Sequence, residues 1–465
     1  MVRAVKERIF YVKLEGQFVQ PFRPSESDFN HSMRHFTDAA QRYINYTNPM
    51  LPIDFANTYE ARKKTIYLKA AAENELYGFS DKLSIISAFG KVEKTNFTAK
   101  PDAVQRVIQP RHPRYLIETG RYIKPIEKQI YTTINTLFND TTVYKGLNPS
   151  NRGQRLAATW SLYRKPVAIG VDAKRFDQHV SNSALKWEHN FYQRYYPRDK
   201  HFRRLMKLQR VNKAFCRLKD GVIKYKTIHG RGSGDSNTSL GNVLIMCAAM
   251  YSYFKEIGVQ ASLINDGDDC VIITEACNLE IISNTLDKYF KQIGFTLEIE
   301  APVYKIEHIV FCQSQPVFDG SNYLMVRDPR VAIAKDGMSI KPLDSLSVAQ
   351  KWLAAVGKGG MTLTGGIPIW QDYYQTYIDH SNGAKALSDP TLESGFFRMT
   401  RGMDRHYMPP TIESRLSFFE AFGIDPEEQL IHEEYYRNLT WDLTNVSDQY
   451  GIDINLMRFN QLLSV

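Results

Sequence analysis

A mixed α+β fold is predicted by three features: a β-branched run at 167–171 ending in Asp172, a strand, acidic turn and strand at 261–274, and helical periodicity that dominates beyond Arg330. The hairpin is the clearest of them. Asn265-Asp266-Gly267-Asp268-Asp269 lies between ASLI and CVIIT, and an Asp-Gly step flanked by β-formers signals a tight turn because Gly accepts positive φ. Its tip displays Asp268 and Asp269 where a divalent cation can bind. Upstream, PVAIGVDAKRFDQHVSNS reads as a buried strand that delivers Asp172 at its end and Asp177 just beyond. Between the two, HGRGSGDSNTSLGNVLIMCAAMYSYF reads as a Gly/Ser loop at 230–234 leading into an apolar helix. Thr238 and Asn242 are four apart and Asp235 is three before Thr238, so the three are expected to share one helical face.

Each feature also has a plainer reading. Acidic turns are commonly just solvated, a strand-end Asp often caps the next helix, and Ser233 or Asp235 could serve as an N-cap. The order of the three changes the balance. A strand ending in one carboxylate, set beside a turn carrying two more, is what two-metal phosphoryl transfer needs, since two cations about 3.5–4 Å apart must share oxygen ligands on rigid elements. Mg²⁺ suits such a site, because it prefers oxygen and leaves room for water and substrate phosphates.

The segment KVEKTNFTAKPDAVQRVIQPRHPRYLIETGRY contributes Lys91, Lys94, Lys100, Arg106, Arg111, Arg114 and Arg121, interleaved with Ile108, Tyr115 and Tyr122. A charge run is usually a solvated face, but 106–110 reads as a compact strand-like segment rather than a lysine-rich helix. Arginine there can meet phosphate oxygens two at a time.

These motifs resemble the palm of the RNA-dependent RNA polymerases of positive-strand RNA viruses, and VDAKRFDQHVS, RGSGDSNTSLGN and NDGDDCVI are most similar to the tombusvirus-like group. The basic segment resembles that group's fingers motif, and FTLEIEAPVYKIEHIVFCQSQPV the motif that closes the palm. VGKGGMTLTGGIPIWQDYY and TIESRLSFFEAFGIDPEEQ resemble its C-terminal region, so the likeness runs from about 85 to 435. It implies a right-handed polymerase with an antiparallel palm sheet flanked by helices and a mostly helical thumb. The expected domains are fingers and fingertips at 1–145, palm at 146–185, fingers again at 186–229, palm at 230–325, and thumb with the C-terminal region at 326–465.

The resemblance also assigns roles. Asp172 and Asp268, with Asp269 assisting, would hold two Mg²⁺ ions, for which Mn²⁺ can substitute. Asp177, Ser233, Thr238 and Asn242 match positions that select the ribose. Lys91, Arg106, Arg111, Gly234 and Gly267 match positions along the triphosphate and template path. Implied partners are template and nascent RNA, ribonucleoside triphosphates and a separate membrane-anchoring replication protein, in membrane-associated complexes of the host cytoplasm, with primer-independent initiation. A reverse transcriptase is the nearest alternative, but its turn usually carries an aromatic residue where Asp266-Gly267 stand, and it needs a bulky steric gate near Asp177. A non-enzymatic RNA-binding protein would explain the charge but not three Asp on two strand ends.

Composition agrees. There are 59 Lys plus Arg against 50 Asp plus Glu, a formal +9, which suits a polyanionic partner, and 12% aromatic residues offer faces for bases. Five cysteines without close pairing read as reduced thiols. No signal peptide is expected at Met1, and the longest uncharged apolar stretch, 243–254, is too short to span a bilayer. Further expectations are a strand-like start followed by helical patterning at 28–46, a helix then a hairpin around Asp220-Gly221, an amphipathic helix at 279–293, and a Gly-rich interruption at 357–366.

Overall fold

The computed structural model describes residues 1–14, 16–95, 101–389, 392, 396–441 and 449–451. The fold mixes helices with small sheets, as expected, and divides into two compact units. The first comprises 1–91, 97–143 and 169–301, and the second 92–96, 144–168 and 302–465.

The first unit is built around helix Thr238–Ile257. Val243 through Met250 are all buried, on every side of the helix, which explains the long uncharged run there as core rather than membrane. Around it pack the apolar faces of Arg34–Ala40, Pro113–Phe138, Asn182–Gln193 and Leu279–Gln292, joined in one buried cluster. Each large side chain buried this way contributes roughly 1.5–3 kcal/mol. Among the described residues no helix is long and apolar enough to cross a membrane.

The main sheet has the strand order Leu297–Ile299, Pro166–Ala173, Asp269–Glu275, Ala261–Asn265. The hairpin pairs antiparallel from Cys270 opposite Asn265 to Thr274 opposite Ala261, and Glu298 lies opposite Asp172. A second sheet sets Ile86–Ser87 parallel to Asn212–Leu218, which forms the expected hairpin with Gly221–Thr227. The expected helices at 28–46 and 279–293 are present as Glu26–Ser32, Arg34–Ala40 and Leu279–Gln292. The start of the chain differs from expectation. Val2–Val5 is α-helical and Lys6–Phe10 a π-helical turn, because Ala4, Val5 and Ile9 turn one face into a cluster with Ile86 and Cys216; the first strand is Val12–Leu14.

The second unit corrects another expectation. The Gly-rich run at 357–366 does not interrupt a helix until its end, since Leu346–Thr364 continues through Gly357 and Gly360. Those glycines are there for contact, not for a break. A Cβ on Gly360 would sit 2.2 Å from the Tyr374 ring, and one on Gly357 would sit 2.8 Å from Ile378, so helix Trp370–His380 lies against bare backbone. Tyr374 cannot easily yield, because its hydroxyl donates to Asp336 at 2.6 Å and accepts from Arg327 at 2.8 Å.

Gly to Ala in a helix ordinarily stabilises by about 0.5–1 kcal/mol. For Gly360→Ala we expect the opposite sign, a loss of about 1–3 kcal/mol from overpacking. Urea unfolding of the variant measures it, and a gain in stability would contradict the close approach.

Candidate functional site

The carboxylates come together through backbone. In strand Pro166–Ala173 the alternation buries Val171 and Ala173 and turns Asp172 out to solvent. The Ala173 amide then donates to the Asp268 carbonyl at 3.3 Å, which seats the hairpin tip beside Asp172. Asp268 is exposed and Asp269 half-buried. The turn is held from inside by Asn265, which is fully buried: its Nδ2 donates to Gly267 O at 2.7 Å and to Cys270 Sγ at 3.0 Å, and its Oδ1 accepts from Gly267 N at 3.1 Å. Gly267 has φ +95°, a conformation that a side chain would strain, so its place here is set by the turn. Asn265 was not among the expected residues. Its place just before Asp-Gly, where Asn closes turns through its own side chain, was the available signal.

Asp177 lies in the single helical turn Phe176–His179, half-buried, and its Oδ1 accepts from Asn242 Nδ2 at 2.9 Å. Burial pushes its carboxyl pKa above the ordinary value; Asn242 and Arg231 oppose the shift and the charge of Asp268 adds to it. Among the described residues Asn242 Oδ1 is buried and has no hydrogen-bond partner. Asp177 and Asn242 are thus brought together, within electrostatic reach of Asp268. Ser233 and Thr238 make other contacts. Ser233 Oγ accepts from Gln109 N at 3.1 Å and donates to Val107 O at 3.3 Å, while Thr238 Oγ1 donates to Gly232 O at 2.7 Å.

Asp235 does not share the helical face expected for it. The helix begins only at Thr238, and Asp235 in the preceding turn pairs with Arg111. Arg111 in turn does not face an open path. Its guanidinium is buried, donating to Asp235 Oδ1 at 2.5 Å, to Ser84 O at 2.6 Å and to Asn212 Oδ1 at 2.6 Å. Its role in this structure is to tie three segments together. Gly234 likewise answers to packing, since a Cβ there would meet Pro110 Cα at 2.6 Å.

Arg106 is exposed and Lys91 half-buried, and the Lys91 amide donates to the Arg106 carbonyl at 2.8 Å beside the ladder of Phe89–Gly90 with Val107–Ile108. Arg114 donates to Asn74 Oδ1 at 2.7 Å and Arg121 to Met50 O at 3.1 Å, so both brace neighbouring chain. Lys94 Nζ hydrogen-bonds the Lys335 carbonyl. Lys100 lies outside the described residues.

A second buried ion pair was missed altogether. Arg231 and Glu188, 1% and 0% exposed, form a two-pronged pair; Asn237 Nδ2 donates to Glu188 Oε1 at 2.9 Å and Gln209 Nε2 to Asn237 Oδ1 at 2.9 Å. Gly241 makes room for it, because a Cβ there would lie 2.5 Å from both charged groups. Burial alone would raise the Glu188 pKa, and Arg231 more than offsets this, holding it below the usual carboxylate range. Glu188 was legible only as a charge at a helical position that the apolar pattern would otherwise fill.

Among the described residues no three His, Cys, Asp or Glu side chains converge to close a metal site by themselves. The donors nevertheless fit hard divalent cations. Asp172 and Asp268 offer carboxylate oxygens on adjoining chain, both solvent-facing, and nearby Glu300 has its pKa raised by burial and then by the charge of Asp172. Mg²⁺ is commonly held by one or two carboxylates, with water and substrate phosphates completing its shell.

The acid-tipped hairpin thus lies beside the strand-end Asp172, and the hydrogen-bonded Asn242 and Asp177 are within electrostatic reach of its tip. Residues 1–444 match the family model described as viral RNA dependent RNA polymerase. The chain is 40% identical over 455 residues to the RNA-directed RNA polymerase of Tobacco necrosis virus (strain A), covering 97% of this chain and 62% of that protein. It is 38% identical over 469 residues to that of Oat chlorotic stunt virus (96% and 62%) and 36% over 459 residues to that of Turnip crinkle virus (96% and 58%). The chain belongs to the viral RNA-dependent RNA polymerase family, with relatives in the Tombusviridae. It spans about three-fifths of the length of these curated relatives.

Removing one partner of the buried pair leaves the other charge uncompensated, so Glu188→Gln should cost about 3–5 kcal/mol. The double change Glu188→Leu, Arg231→Met should recover most of that, as read by chemical denaturation. Because the folded pKa of Glu188 lies below its unfolded value, the pair stabilises fully above the unfolded glutamate pKa of about 4.3 and loses this as pH falls through the folded value. Glu188→Gln should therefore flatten the acid side of the stability curve.

Proposed function

We propose that this chain is the catalytic body of an RNA-directed RNA polymerase that copies a positive-strand viral genome by nucleotidyl transfer from ribonucleoside triphosphates. The observation that carries the reading is the hydrogen bond from the Ala173 amide to the Asp268 carbonyl, in a chain whose family match covers 1–444. Asp172 and Asp268, with Asp269 assisting, would hold two divalent ions, Mg²⁺ with Mn²⁺ as substitute. When bound, such ions would favour ionisation of the attacking 3′-hydroxyl and offset the charge of the triphosphate. The protein's own part is positioning. The backbone bond sets the separation of the two carboxylate sources, and Asn265 keeps the turn from relaxing.

Asp177 and Asn242 act on the sugar. A buried carbonyl oxygen such as Asn242 Oδ1 is an acceptor that a ribose hydroxyl can satisfy and a deoxyribose cannot. Ser233 and Thr238 shape the loop over which the nucleotide passes, and Arg106 and Lys91 present charge to triphosphate or template. Arg111, Gly234 and Gly267 serve as positioning residues rather than direct contacts. In this reading 146–185 and 230–325 form the palm, 1–145 and 186–229 the fingers, and 326–465 the thumb and C-terminal region. Initiation is primer-independent, and a separate replication protein anchors the enzyme to membranes in the host cytoplasm.

Asp268→Ala should lower nucleotide incorporation on an RNA template by at least about 10²-fold while the protein stays folded and binds RNA. Near-normal incorporation would reject the site. Asn242→Ala should narrow the preference for ribonucleotides over deoxyribonucleotides by about tenfold, the worth of one hydrogen bond of ~1.4 kcal/mol, and an unchanged ratio would remove Asn242 from sugar selection.

A further inference from the structure

The hairpin Asn212–Leu218 with Gly221–Thr227 has two unlike faces. Inward, Ala214 and Cys216 are buried in one cluster, against which Ile223 and Tyr225 pack. Outward stand Lys213, Phe215 and Arg217 on one strand and Val222, Lys224 and Lys226 on the other, paired Lys213 with Lys226, Phe215 with Lys224 and Arg217 with Val222. All four cations are exposed, Lys219 extends the row into the turn, and among the described residues none of the five lies within ion-pair distance of a carboxylate.

Two like charges directly opposite on a sheet destabilise it, here for Lys213 and Lys226, and nothing in the inner packing requires either. An anionic partner relieves that cost. Along each strand alternate residues recur every ~6.7 Å, close to the repeat of a stretched single-stranded nucleic acid. Phe215 lies between the cations, with Arg217 5.5 Å from its ring centre, and Val222 is exposed beside it, which gives bases an apolar and aromatic surface between phosphate contacts. The second strand ends at Thr227, a few residues before the loop that carries Ser233, so the row of charge leads by direct chain connection towards the candidate site.

We propose that the outward face of this hairpin is a single-stranded RNA-binding surface, in which Lys213, Arg217, Lys224 and Lys226 contact successive phosphodiesters and Phe215 stacks on a base. The choice of RNA as the polyanion rests on the polymerase reading; the existence of the anion surface does not.

The test uses the full chain and an unstructured 20-nucleotide single-stranded RNA, with Kd measured across salt concentrations. Lys213→Thr, Lys224→Thr and Lys226→Thr together keep β-forming residues in the strands. The combined variant should raise Kd about tenfold or more near 0.15 M salt and reduce the slope of log K against log salt by about 2, at roughly 0.7 per lost phosphate contact. Lys226→Glu alone should raise the thermal midpoint, by converting the like-charge pair into an opposite one, while weakening RNA binding. Unchanged Kd and slope in the triple variant would overturn the proposal. So would loss of binding to phosphatidylserine-containing vesicles with RNA binding intact, which would make the face a membrane surface. Weakened RNA binding in the variant, in a wild-type protein that incorporates no nucleotide, would uphold the surface and sink the polymerase reading instead.

Discussion

The Ala173 amide to Asp268 carbonyl bond is the contact on which the proposed chemistry of this molecule depends. It joins a strand and a hairpin distant in the chain, and carboxylates have to be held this rigidly if hard cations are to be shared between them. Several other features serve that one register. The pleat turns Asp172 outward, positive φ at Gly267 tightens the tip, and buried Asn265 fills the turn's inner hydrogen-bonding positions. The all-round apolar helix Thr238–Ile257 supplies the unyielding core beneath.

Two fully buried ion pairs stand behind the site, Arg111 with Asp235 and Arg231 with Glu188. Such pairs give little net stability, because desolvation consumes most of the Coulombic gain, but a broken one is costly. Their effect here is to bind the loop between Thr227 and Thr238 at two points, one to Ser84 and Asn212 and the other to the helix Asn182–Gln193. A loop fastened that way can present polar groups to a substrate without being remade at each encounter. Charge is divided accordingly: paired and buried near the loop, and, among the described residues, unpaired and exposed on the hairpin that precedes it.

The second unit solves a different problem with close packing. Gly357 and Gly360 admit Ile378 and Tyr374, and the neighbouring Tyr373 and Tyr377, fully buried, share a hydroxyl contact of 2.6 Å. Ile369, with φ +64°, occupies a conformation that β-branched residues avoid, and its amide is held by Glu433, itself doubly bonded to Arg415 at 2.9 Å.

By itself, the order of residues determined the mixed fold, the Asp172 strand, the acidic hairpin and the helix after the Gly/Ser loop. Those are local signals: β-branched runs, an Asp-Gly turn and apolar periodicity each act within a few residues. Only the tertiary structure decided where charges and glycines point. Nothing near Arg111 in the sequence announces its pairing with Asp235, far along the chain, and the run at 357–366 reads as a break although Tyr374 fills the space that the missing Cβ of Gly360 leaves. A single side chain or a missing one carries no record of its distant partner, so desolvation, pairing and close approach become decidable only once the chain has closed on itself.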